Sequence, residues 1–303
     1  MRIGLWVNGD GQIDEVVRGF WKAADLGFAS AWTPQLFGHD ALTVLALAGR
    51  EVTGIELGTA VVPTYPRHPQ ALAMQALTTQ AACDGRLTLG IGLSHKVVIE
   101  NMYGYSYARP VDHMTEYLAV LQPLLHDKKS AHRGETLGFA GQLTITDVPA
   151  PDVVLAALAP RMLALAGEQT AGTVTWMAGL TAIDTHVTPL ITKAADAAGN
   201  PRPRVIVALP VCVTNDEEGA RAKAEETFAI YGQLPAYQAV LARGDATSPG
   251  QVAVVGDEDS VRKQIGLFRE AGATEFVAAV YGGGYERERT MSLLADLARS
   301  PSF

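Results

Sequence analysis

Seven histidines are the only side chains of this sequence whose ordinary titration falls near neutral pH. One of them, His95, stands where such a group is useful. It follows Leu87-Thr88-Leu89-Gly90-Ile91-Gly92-Leu93-Ser94, a run of strand character, and so lies just past a strand end. An imidazole there can donate or accept a proton beside a bound substrate, or simply bond a loop carbonyl. His39 is a second catalytic candidate, next to Asp40, which has the place of a helix cap. His68, in Tyr65-Pro66-Arg67-His68-Pro69, reads as loop structure between prolines. His113, His126, His132 and His186 read as solvated or structural. Cys83 and Cys212 are far apart among apolar neighbours and read as two buried thiols. No cysteine or histidine spacing suggests a metal site.

Glycines and one arginine add binding chemistry. Gly90-Ile91-Gly92 fits tight packing in a barrel, and Gly282-Gly283-Gly284 fits either a close backbone approach to a ligand or a plain turn. Arg161 follows Ala159-Pro160 at an expected helix start. Free amides at that end can hold a phosphate, with Arg161 assisting, although a surface arginine fits the same position.

These residues need a frame. Short apolar runs alternate with helical stretches along the chain. Strands are expected at Ile3 to Val7, Ala29 to Thr33, Glu56 to Val62, Arg86 to Gly92, Val153 to Ala157, Thr173 to Met177, Arg204 to Val213 and Glu275 to Val280. Helices are expected between them, one starting after Asp40, one at Pro69 and one capped by Asn215. Gln233 to Arg243 reads as an extra helix, and Ser248 to Val255 is ambiguous. The glycine-rich stretch at about 127–150 reads as an inserted hairpin. Eight strands each followed by helix imply a (β/α)8 TIM barrel with insertions, a single domain over 1–303. An open doubly wound sheet competes, but Gly9 and Gly11 fail the register of a dinucleotide turn.

In such a barrel the active site lies at the carboxyl ends of the strands. The residues expected there, such as Asn8, Gln35, Thr64, Ser94 and Ala178, are mostly small and neutral. No carboxylate pair is available for glycoside hydrolysis. The rim suits a bulky, flat, partly apolar ligand.

Composition sets outer limits. Of 303 residues, 48% are hydrophobic and 18% charged, enough for a sizeable core and unlike a disordered chain. Net charge is 24 − 32 = −8, which argues against nucleic acid and anionic membranes as partners. The opening residues run straight into a strand without signal-peptide architecture, and no run reaches membrane-span length. A soluble, cytoplasmic protein is the expectation.

Leu57 to Pro69, followed by Arg86 to Gly92, resembles the luciferase-like monooxygenase superfamily, and within it the branch that uses the deazaflavin coenzyme F-420. Met1 to Val7, Gly27 to Trp32, Arg133-Gly134-Glu135 and Val174 to Gly179 fit the same pattern. The resemblance implies an isoalloxazine-like ring in the barrel mouth, backed by a non-prolyl cis peptide that maps onto Ala60–Val61. It implies phosphate contacts at Leu158, Ala159, Pro160 and Arg161, and at Ala178 and Gly179. His95 falls where some relatives carry a glutamate acid. An Asp-His pair of several relatives is replaced by Gln35 and Leu36, leaving Gln35 to bond the ring edge. The net charge offers no broad basic patch for a polyglutamate tail. The implied activity is hydride transfer between coenzyme F-420 and a small organic substrate, by a homodimer. A flavin mononucleotide (FMN) monooxygenase and a non-catalytic flavin-binding carrier are the alternatives.

Overall fold

A computed structural model describes residues 1–244 and 246–300. Eight parallel strands close a barrel: β1 (Arg2–Trp6), β2 (Ser30–Thr33), β3 (Glu56–Thr59), β4 (Leu87–Gly92), β5 (Asp152–Leu155), β6 (Gly172–Trp176), β7 (Arg204–Val213) and β8 (Glu275–Val280). Neighbours pair in chain order, and β8 returns to β1 with Leu5 opposite Ala278. The strands are apolar on both faces, as a sheet covered by helices outside and filled by side chains inside requires. Every residue of β4 is buried.

Around the barrel run α1 (Ile13–Asp25), α2 (Ala41–Glu51), α3 (Pro69–Ala82), α4 (Pro110–His126), α5 (Pro160–Gln169), α6 (Thr188–Ala198), α7 (Glu217–Thr227), α8 (Pro235–Arg243), α9 (Glu258–Glu270) and α10 (Gly284–Arg299). Among the described residues, no helix is long and apolar enough to cross a membrane. Their starts carry ordinary signals. Asp40 accepts from the Thr43 amide at 2.9 Å, and α3, α4 and α5 begin on proline. At α7 the cap is Asp216, whose Oδ1 accepts from the Gly219 amide at 3.0 Å, and not the expected Asn215. The hairpin pairs Lys129–Arg133 with Gly138–Gln142. The ambiguous stretch forms a short helix, Pro249–Val252, and a strand, Val254–Gly256, that pairs with the end of β7 outside the barrel.

The expected third strand is interrupted. It stops at Thr59 and resumes at Val62–Pro63, with the Ala60–Val61 peptide bond in the cis form between. Gly90 of β4 lies against this bulge so closely that a Cβ there would collide with the Thr59 carbonyl.

The amino ends of the strands form a charged floor. Arg204 donates to Glu56 Oε1 at 2.6 Å, to Glu275 Oε2 at 3.1 Å and to Thr88 Oγ1 at 3.0 Å. Arg2 donates to Glu56 Oε2 at 2.6 Å. Glu275 is only 1% exposed and also accepts from the Ser30 hydroxyl and, at 2.7 Å, from Trp32 Nε1. Burial pushes the Glu56 carboxyl upward, but Arg204 and Arg2 outweigh it and hold the group below the usual carboxylate range. Above the floor, Trp32 fills the barrel with Val154, Val174, Ile206, Ala208 and Val277.

Removing one partner of a buried ion pair costs about 3–5 kcal/mol, because the other charge stays behind. Arg204→Met is therefore expected to lower stability by roughly that amount in urea unfolding at pH 7, and a second change, Glu275→Gln, to recover part of it. The depressed Glu56 carboxyl stabilises the fold above the carboxylate range and loses that contribution as pH falls below it. The deficit of Arg204→Met should accordingly narrow in acid; a deficit that stays constant down to pH 3 would remove the charge explanation.

Candidate active site

The mouth of the barrel holds a cavity of about 280 Å³. Its walls come from the ends of β1, β4 and β6, the bulge after β3, the loop after β5, and α8 folded over the top. Ala60 and Val61 form one wall. Gly92 lets that wall approach β5: a Cβ there would stand 2.7 Å from Val61 Cγ2 and 3.1 Å from Ala156 Cβ.

His95 enters this cavity from the end of β4. Ser94 before it takes a left-handed backbone, φ 59°, which is uncommon outside glycine and turns the chain at the strand end. The His95 carbonyl accepts from the amides of Val98 and Ile99, both at 2.9 Å, and fixes the next turn. The His95 ring packs tilted against Tyr237 of α8, with centroids 5.4 Å apart. Burial lowers its pKa, so the imidazole is neutral at neutral pH. Among the described residues lining the cavity it is the only histidine, the side-chain type that ordinarily titrates near neutral pH. Tyr107, also in the wall, donates to the Ser94 carbonyl at 3.4 Å.

The loop after β5 supplies Leu158 and Ala159 to the wall, and α5 adds Met162. Ala159 precedes the first turn of α5, so the amide end of that helix opens beside the cavity. His186, expected to be structural, braces this loop by donating from Nε2 to the Leu158 carbonyl at 2.8 Å. Trp6 and Trp176 close another side as a stacked pair, with centroids 5.0 Å apart.

Several expected residues are elsewhere. His39 donates from Nε2 to the Gly11 carbonyl at 2.8 Å and ties two loops together outside the cavity. Gln35 is occupied too: its Oε1 accepts from the Ala41 amide at 2.7 Å at the start of α2. Ala178 is fully buried in the core. Gly179 lines a separate cavity against Val252, which a Cβ on it would meet at 2.9 Å. Pro160 and Arg161 begin α5 but do not line the wall; the Arg161 side chain is 77% exposed, 4.0 Å from Asp112. Gly282 and Gly283 make a turn into α10, with the Gly283 amide donating to Glu286 at 2.7 Å. The lining residues missed by sequence reasoning include four aromatic ones. Trp6 and Trp176 were legible as strand ends; Tyr107 and Tyr237 lie on segments whose folding over the mouth no local pattern encodes.

Comparison with known proteins agrees with this architecture. Residues 1–275 match the family of luciferase-like monooxygenases. A relative from Mycobacterium tuberculosis, provisionally named a coenzyme F-420-dependent oxidoreductase, is 37% identical over 100 residues, 33% of this chain and 29% of its own. The chain thus spans less than a third of that relative. A 5,10-methylenetetrahydromethanopterin reductase from Methanolobus tindarius is 25% identical over 288 residues, 84% of this chain and 87% of its own. A solved F-420-dependent secondary alcohol dehydrogenase superposes with a TM-score of 0.81 at 17% identity, covering 99% of both chains, a likeness of fold. The family match over most of the length, on a closed barrel with its cavity at the carboxyl ends of the strands, makes this chain a member of the luciferase-like monooxygenase family.

Proposed function

We propose that the protein is an oxidoreductase that moves a hydride between coenzyme F-420 and a small organic substrate. The observation that carries this reading is the mouth cavity itself: an apolar slot against the Ala60–Val61 bulge, with His95 as the histidine among its described lining residues. The relatives named for coenzyme F-420 support the choice of cofactor.

The residues present fit such a group. A flat ring needs apolar walls, which Ala60, Val61, Val174 and Met162 supply, with Gly92 letting the Ala60–Val61 wall sit close against β5. A phosphate needs donors, which the amide end of α5 supplies beside Ala159. When bound, a deazaflavin supplies hydride chemistry, with carbon where flavin has its reactive nitrogen. The protein's own part is orientation, exclusion of water and proton handling. Tyr237 and Ala236 of α8 cover the slot. His95, neutral because it is buried, accepts a proton from a substrate hydroxyl or hydrogen-bonds its oxygen.

Three outcomes test the reading. His95→Ala should lower kcat by about two orders of magnitude or more, the usual range of acid–base catalysis, with cofactor affinity near wild type. The wild-type rate should hold at neutral pH and fall only in acid, below the range of a free imidazole, where the ring becomes charged; a variant with unchanged turnover would return His95 to a structural role.

Arg161→Ala should weaken cofactor binding less than about fivefold, since exposed charge pairs contribute about 0.2–1 kcal/mol. A loss of a hundredfold in a fluorescence titration would place the Arg161 side chain on the phosphate after all.

Coenzyme F-420 should bind more tightly than FMN, and turnover should consume no oxygen. Paired titrations followed by oxygen-electrode measurement decide this. Tight FMN binding, no F-420 binding and stoichiometric oxygen uptake would establish the monooxygenase reading instead.

A further inference from the structure

Most polar side chains in the wall of the mouth cavity already have partners. Trp6 Nε1 donates to Asn8 Oδ1 at 3.0 Å, the Thr175 hydroxyl to the Ile206 carbonyl at 3.4 Å, and the Tyr107 hydroxyl to the Ser94 carbonyl at 3.4 Å. Trp176 Nε1 has no accessible surface and lies at the Tyr231 hydroxyl. Among the described residues, none bonds the side chains of Ser94, His95 or Tyr237, which line the same wall. Nor are their polar atoms sealed in, as Trp176 Nε1 is, so each can meet a ligand.

Two of these three are in contact. The Tyr237 ring packs on the His95 ring with centroids 5.4 Å apart, and it also meets Tyr231 edge-on at 5.2 Å. Tyr231, from the turn Ala229–Gln233, rests edge-on against Trp176 at 5.6 Å. The phenol is thus held in place by ring contacts that make no use of its hydroxyl. Burial, with Tyr231 nearby, keeps that phenol above its ordinary range, so it stays a donor. His95 beside it is neutral, and one ring nitrogen of a neutral imidazole is an acceptor. A donor next to an acceptor matches a hydroxyl, which accepts and donates at one oxygen. The wall carries no Asp, Glu, Lys or Arg, so a charged group would lose its water there without gaining a counter-charge.

We propose that Tyr237 is a substrate-binding residue, and that the substrate is an uncharged alcohol whose oxygen accepts from the Tyr237 hydroxyl while its hydrogen points to His95. The substrate's proton passes to His95, the acceptor already assigned, and Tyr237 keeps its own. The proposal rests on that reading of the mouth cavity, and the two are tested separately. The probe is benzyl alcohol, measured by equilibrium dialysis, with toluene as the same ring without the oxygen; a cavity of about 150 Å³ is enough for benzene. Tyr237→Phe keeps the ring and removes the hydroxyl. It should weaken benzyl alcohol binding about three- to tenfold, the range of one neutral hydrogen bond, and leave toluene affinity unchanged. Tyr107→Phe removes a hydroxyl that is already bonded to Ser94 and should leave both probes as in wild type. Excess benzoate, which is charged, should not displace benzyl alcohol. Unchanged benzyl alcohol binding in a folded Tyr237→Phe, an equal loss of toluene binding, a loss of the same size in Tyr107→Phe, displacement by benzoate, or no binding at millimolar benzyl alcohol would each overturn the proposal. Coenzyme F-420 is titrated alongside. If it fails to bind while the Tyr237 hydroxyl strengthens benzyl alcohol binding, the substrate contact stands and the cofactor assignment falls. If it binds and that hydroxyl has no effect, the cofactor assignment stands and the contact falls.

Discussion

Arg204 holds the floor of the barrel together, and the rest of the site is stacked on that floor. Its guanidinium joins Glu56 of β3 and Thr88 of β4, on the far side of the barrel from β7, to Glu275 of the adjacent β8. A salt bridge in the interior is only marginally favourable in itself, because two charges lose their water. Its value here is geometric. With Glu56 and Glu275 desolvated, any slip of β7 relative to β3 or β8 would strand a charge, so the register of the closed sheet is tied to one side chain. The same carboxylate of Glu275 that accepts from Ser30 also accepts from Trp32, which carries the constraint one layer higher.

Trp32 then determines what can lie above it. Its ring packs so close to Gly58 that a Cβ on Gly58 would overlap it. The next layer holds Ala60, Val61 and Trp176, and only above these does the interior open. The mouth cavity exists because β3 breaks at Ala60–Val61 and β4 answers with glycines at positions 90 and 92. The glycines leave no side chain to push the bulge away. They let the bulge sit close to β4, and the aromatic lining comes from the ends of β1 and β6, from Tyr107 and from Tyr237 of α8.

That division explains what the sequence disclosed. Apolar runs separated by helical stretches reveal the barrel, because each strand must be buried on both faces and each helix on one. The strand-end rule then located His95, and the resemblance located Ala60 and Val61. Reading failed where a polar side chain had a closer use. Gln35 and His39 have the right chemistry on the right loop, but a helix amide and the Gly11 carbonyl claim them first. Asp216 takes the cap from Asn215 for a similar reason, being one residue better placed for the Gly219 amide. Tyr237 could not be found at all. Its helix was legible as an element, but its packing against His95 depends on where α8 lands, which is set by contacts far away in the chain.

The electrostatics of the mouth follow from the same layering. The charges of the interior are spent at the floor, several layers below, and the lining of the slot carries none of the Asp, Glu, Lys or Arg side chains. In that setting His95 stays neutral because protonation would place an unpaired cation among apolar walls. A neutral imidazole can accept a proton without first losing one. Hydride transfer from an alcohol carbon leaves a hydroxyl proton to be taken up, and an apolar slot excludes the water that would otherwise compete for that role. The burial that makes the slot apolar is therefore also what keeps the His95 imidazole neutral, so the proposed ring surface and the proposed proton acceptor rest on a single packing arrangement.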